Sequence, residues 1–132
     1  MSFKNIFHKM KIIIAVGIGS CIGGILRYLL TQLIQTKFIS TFPFGTLSVN
    51  IIGCFLIGVA FGFSERSYIS MEWKFFLVTG LLGGFTTFSA FSNETVALIR
   101  HGQSWLALSY VASSLIVGLF ATFAGISIIK LF

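Results

Sequence analysis

The 132-residue chain reads as an all-α membrane protein with four transmembrane helices, the third of them broken near its middle. Three observations predict this. Hydrophobic residues make up 56% of the chain and charged residues only 9%, and the mean hydropathy is +1.00. A soluble domain of this size has nowhere to hide that much apolar surface. The apolar residues fall into four runs, each near or above the ~20 residues a helix needs to cross a bilayer. Inside the third run, the stretch GGFTTFSAFSNE gathers glycines, hydroxyls, an amide and a carboxylate where lipid offers no hydrogen bonds.

The runs occupy roughly 12–34, 45–63, 74–98 and 104–129, and together they make a single transmembrane domain. They are too long and too evenly apolar for barrel strands, and a helix satisfies its backbone internally. The first span follows a basic N-terminus (Lys4, Lys9, Lys11) and is too long for a signal core, so it is expected to be retained. QTKFISTFPFG, with the only proline, Pro43, leads to the second span; SERSYISMEWK and RHGQ frame the third. Cys21 and Cys54 have no pairing or ligand spacing and are expected to be small buried hydrophobes. Glycines four apart (Gly19 and Gly23, Gly58 and Gly62, Gly80 and Gly84) predict close helix approach, within the chain or against a second copy.

The net charge of +6 does not indicate nucleic acid, because the bases stand at the ends of apolar runs. Lys4, Lys9, Lys11, Arg66, Lys74 and Lys130 fall on the side of the termini, against Lys37 and Arg100 on the other. The positive-inside rule therefore places the termini in the cytoplasm.

The third span carries the chemistry. Adjacent Gly83 and Gly84 weaken a helix, and Thr86, Thr87 and Ser89 are good caps for a new one. A break there frees main-chain carbonyls such as those of Gly83 and Thr86. At mid-membrane such oxygens must be buried in protein or hold a cation, and sodium suits an uncharged all-oxygen site. The alternative is a kink healed by threonine hydroxyls. Beyond the break, Phe88 and Phe91 share a helix face, with Thr95 one turn on. They are either packing residues or rings whose positive edges solvate an anion.

Asn50 in GTLSVNIIG is interhelical glue or an anion ligand, since a buried amide needs partners and brings two donors. Tyr110, Ser114, Gly118 and Thr122 recur every four residues, a possible hydroxyl track that Gly118 interrupts. Arg27 in GGILRY either snorkels to the interface or supplies positive potential at an anion vestibule. Glu94, the one acid expected to be embedded, reaches headgroups or sits at a pore mouth. His8 and His101, terminal and loop residues, are assigned no chemical role.

GGILRY, GTLSVNIIGCFLIG and above all GLLGGFTTFSAFSNE resemble the signature of the fluoride channel family called CrcB or Fluc, in order through the first three spans. The resemblance implies an antiparallel, dual-topology homodimer in a prokaryotic cell membrane, with two fluoride pores and passive export. It implies a structural sodium ion at the dimer centre on the carbonyls of Gly83 and Thr86. It also implies that Phe88 and Phe91 line the pores with Asn50, Ser89, Tyr110, Ser114 and Thr122, with Glu94 near the path. A small dual-topology multidrug or cation exchanger is the rival. It needs a carboxylate in the first span, which has Arg27 and no acid. No His/Asp/Glu cluster stands by a nucleophile, so an enzyme is not expected.

Overall fold

A computed structural model describes residues 3–65 and 70–131, and every described element is helical. Helix α1 is Phe3–Lys37 and α2 is Phe44–Glu65. The third span is two helices: α3, residues 71–85, and α4, Phe88–Arg100. Helix α5 is Ser104–Lys130. Four spans are long and apolar enough to cross a membrane: Asn5–Lys37, Phe44–Ser64, Met71–Arg100 and Ser104–Lys130. Arg66, counted above among the bases on the side of the termini, lies outside the described residues.

The first helix is longer than its apolar run, because the basic N-terminal residues continue it. At ~1.5 Å per residue it is about 50 Å long, well beyond the ~30 Å hydrocarbon core. Its first turns are tied to the start of α3 by His8, whose Nδ1 lies 3.6 Å from Glu72 Oε1.

The glycine pairs are spent on packing inside the protomer. Helix α1 lies on α3 with backbone nearly touching backbone. A Cβ on Gly19 would meet the Phe76 carbonyl oxygen at 2.6 Å, and one on Gly80 would meet that of Val16 at 2.9 Å. Helix α2 lies on α5 in the same way, with Gly58 against the Thr122 carbonyl and Gly125 against that of Phe55. Small residues permit this approach, and van der Waals contact then drives association in lipid. The cysteines depart from expectation in part: Cys54 is half-buried, whereas Cys21 is exposed on the outer side of α1.

Within α3, Met71–Lys74 is one α-helical turn, Phe75–Leu82 is π-helical, and Gly83–Phe85 returns to α. A π stretch has no signature in composition. Here the α1 seam supports it, with the Ser20 hydroxyl donating to the Gly80 carbonyl at 3.3 Å. The outer faces of the bundle are apolar, as lipid requires; Ile13, Leu29, Leu115, Leu119 and Phe123 all stand more than half exposed.

Candidate functional site

The chain is broken at Thr86 and Thr87, not at the glycines. Both threonines are extended, with φ/ψ of −83°/155° and −147°/120°. Gly83 and Gly84 stay helical because Gly84 is pressed on α1, where a Cβ would lie 2.5 Å from the Ser20 carbonyl oxygen. The β-branched threonines tolerate extended backbone more readily than helix. Thr87 then starts α4, its hydroxyl accepting from the Ala90 N–H at 3.2 Å and sharing a 3.2 Å hydrogen bond with Ser89.

Asn50 closes the break. Its Nδ2 donates to the Thr87 carbonyl at 3.1 Å, while the Thr87 N–H donates to its Oδ1 at 2.8 Å. The side-chain amide thus pairs with Thr87 as a neighbouring strand would, and one N–H of its two remains for another acceptor. Arg27 supports the same region from α1, donating from Nε to the Gly84 carbonyl at 3.1 Å. It lies opposite the break, ten residues short of the end of α1.

These contacts redirect two of the donors at the break. In a continuous helix, Gly83 would accept from the Thr87 N–H and Thr86 from the Ala90 N–H. Asn50 takes the first donor and the Thr87 hydroxyl takes the second. Gly83 is itself on the outside, with nothing closer to its Cβ position than the Val78 carbonyl oxygen at 3.7 Å. Two main-chain oxygens thus lose their helical donors, and Gly83 itself stands at an open face of the protomer.

A cavity of about 290 Å³ opens at the break, and Asn50, Thr86, Thr87, Phe88, Phe91 and Ser114 line it. The Ser114 hydroxyl is buried and has no hydrogen-bond partner among the described residues. Such a group costs about 1–3 kcal/mol unless something in the cavity pairs with it. Phe88 is 79% exposed on the protomer, its ring centroid 5.6 Å from that of Phe91. Phe91 in turn lies 5.0 Å from Tyr110, and Tyr110 meets Phe42 edge-on at 5.6 Å. One aromatic file thus runs from the break to the loop after α1.

Glu94 sits beside that file. Its Oε1 accepts from the Thr46 hydroxyl at 2.6 Å and its Oε2 from the Tyr110 hydroxyl at 2.7 Å. Both donors are buried, Thr46 at 3% exposure and Tyr110 at 0%. Tyr110 therefore lies within the bundle with its hydroxyl committed to Glu94. A second cavity, of about 310 Å³, lies on the other side of Glu94 and is lined also by Thr41, His101 and Gln103.

The remaining members of the fourth-span series lie apart from the break. Thr122 donates back to the Gly118 carbonyl at 3.1 Å, and Gly118 is buried with its Cβ position 3.4 Å from Cys54 Sγ. Thr95 likewise donates to the Phe91 carbonyl at 2.8 Å.

Three participants went unread in the sequence. Thr46 could have been found, because it stands one helical turn before Asn50 on the same face of α2. Gln35 had no such signal. Its amide donates to the carbonyls of Ser40 and Phe42, and its oxygen accepts from the Gly45 N–H, so it shapes the loop that carries Phe42. His101, assigned no role, lines the Glu94 cavity.

The chain resembles known proteins over most of its length. The chain is 46% identical over 122 residues to the fluoride-specific ion channel FluC of Flavobacterium psychrophilum, covering 92% of this chain and 98% of that one. FluC of Rhizobium meliloti is 42% identical over 122 residues, with the same two coverages. FluC of Aquifex aeolicus is 40% identical over 117 residues, 88% of this chain and 94% of its own. The family described as "CrcB-like protein, Camphor Resistance (CrcB)" matches residues 14–126, a stretch that takes in all four spans, the break and both cavities, and the chain belongs to that family.

Proposed function

We propose that the chain is a fluoride-selective channel of the prokaryotic cell membrane, a transporter and not an enzyme, which lets fluoride leave down its electrochemical gradient. The observation that carries this reading is the cavity at the break. It sets an amide N–H, an unpartnered hydroxyl and two phenyl rings around one space with no formal charge. Fluoride is small and strongly hydrated, so it needs several weak donors in place of its water. A full positive charge inside this cavity would hold it too long for conduction. The ring edges of Phe88 and Phe91, the free N–H of Asn50 and the Ser114 hydroxyl are donors of that kind. Ser89 and Thr122, whose hydroxyls bond to Thr87 and to the Gly118 carbonyl, stand outside this donor set, and Tyr110 acts through Glu94.

The working unit is an antiparallel, dual-topology homodimer with two pores. Support comes from the exposed Phe88 ring and the open face at Gly83, which one chain leaves uncovered. A second copy would enclose the ring and bring its own carbonyls to the first pair. The carbonyls of Gly83 and Thr86, deprived of their helical donors, suit a structural sodium ion shared between the copies. When bound there, the ion supplies positive potential that offsets the cost of an anion at mid-membrane. Arg27 and Asn50 hold the backbone that presents those oxygens.

The test is efflux from liposomes holding purified protein and both halides. Fluoride is expected to leave and chloride to stay, with no proton gradient imposed. Equal loss of both halides, or fluoride movement only when protons are exchanged, would remove the reading.

A further inference from the structure

We infer that His101 forms, with the second cavity, an anion-loading site at one mouth of the fluoride path, which works when its imidazole is protonated. The inference rests on the channel reading above. The cavity is lined by Thr41, Glu94, Ala97, His101 and Gln103, and it shares Glu94 with the Thr46–Tyr110 cluster. Tyr110 stacks on Phe91, which lines the cavity at the break. Contacts from Phe91 through Tyr110 to Glu94 therefore link the cavity at the break to the one His101 lines.

The imidazole is held by one nitrogen. Its Nδ1 lies 2.7 Å from the Ala97 carbonyl, and a carbonyl only accepts, so Nδ1 bears a hydrogen. In the neutral ring, Nε2 is then a bare lone pair, which repels an anion. Protonation converts Nε2 to an N–H donor and adds a positive charge, so one proton reverses the ring's effect on fluoride. The setting makes this reversal matter. His101 caps the end of α4, where the last carbonyls give the mouth a negative potential, and Glu94 adds its own charge from the same helix. Both Glu94 oxygens are already engaged by donors, which leaves His101 as the switchable charge on this cavity.

The other groups that bear on it are few. Thr41 and Pro43, from the loop after α1, do not titrate; Tyr110, from α5, is bound to Glu94; Arg100 adjoins His101 and Lys37 closes α1 at the same end.

The experiment measures initial fluoride efflux at sub-saturating fluoride between pH 8 and pH 6, with leak from protein-free vesicles subtracted. For the native chain, efflux is expected to rise about two- to five-fold as pH falls, and high concentrations of an impermeant salt should shrink that rise. His101→Gln should be flat at the native pH 8 rate, and His101→Lys should be fast at both ends. Native efflux that ignores pH, or a His101→Gln profile that matches the native one, overturns the inference and leaves the channel intact. Absence of protein-dependent efflux at every pH overturns the channel reading, and this site with it. Elution as the native assembly identifies variants that fold.

Discussion

The two halves of the third span are built on opposite principles. Helix α3 is locked to α1 along glycines, with a hydroxyl and a guanidinium tending its carbonyls. Helix α4 carries Phe88, Ser89 and Asn93 on its exposed side, and it borders a cavity where a hydroxyl has no partner. The first half is a fixed wall. The second is a surface whose hydrogen bonds and contacts are incomplete within one chain. Two extended threonines and one asparagine join them, so a rigid packing element and an unsatisfied polar site can coexist within one crossing of the bilayer.

The largest effect is expected at the joint. Asn50→Leu removes the amide from both ends of the Thr87 residue and strands its N–H, which costs about 1–3 kcal/mol. Thermal melting in detergent should fall sharply and fluoride efflux should cease. A near-native melt would mean that the break is held by something other than Asn50. Asn50→Asp keeps an acceptor for the Thr87 N–H but loses the donor and adds an acid to the cavity, so its efflux should fall further than its melting temperature.

The adjacent glycines sharpen the contrast next. Gly84→Ala drives a methyl into the Ser20 backbone and is expected to cost about 3 kcal/mol, the upper end of the range for overpacking. Gly83→Ala meets only an ordinary contact with the Val78 carbonyl oxygen at 3.7 Å, in an ordinary helical conformation, so the protomer should melt as before. Its effect should fall on dimer assembly, read by size-exclusion chromatography. If the two variants behaved alike, the division between a packed wall and an open face would be wrong.

The smallest effect on stability belongs to Ser114→Ala. The hydroxyl makes no hydrogen bond among the described residues, so its removal should leave the melt unchanged or slightly raised. Efflux should nonetheless drop several-fold. A variant with native efflux would show that Ser114 is only packing.

Much of this was legible in the sequence because membranes constrain composition and spacing so tightly. Four apolar runs, glycines four apart and an excess of hydroxyls in GGFTTFSAFSNE gave the helix number, the seams and the existence of a break. The position of the break within that stretch was not legible. Glycine looks like the weak point, yet Gly84 is held helical by a contact with α1 that only the fold reveals. The role of Asn50 was left open between two readings, and the structure shows one amide arranged to do the first while keeping a donor for the second. Tyr110 looked like one rung of a regular hydroxyl track. Its partner Glu94 lies on another helix, and no spacing within one span could disclose that pair. His101 was passed over because Thr41 and Pro43, which share its cavity, come from the loop after α1, far away in the sequence.

The central claim is that the cavity at the break, with its exposed ring, is where fluoride crosses. Fluoride efflux from liposomes carrying assembled Phe88→Ile tests it most directly, since isoleucine keeps the bulk and removes the ring edge. The account predicts that most of the flux is lost while the protein elutes as the native assembly. Flux at the native rate from that variant would contradict it.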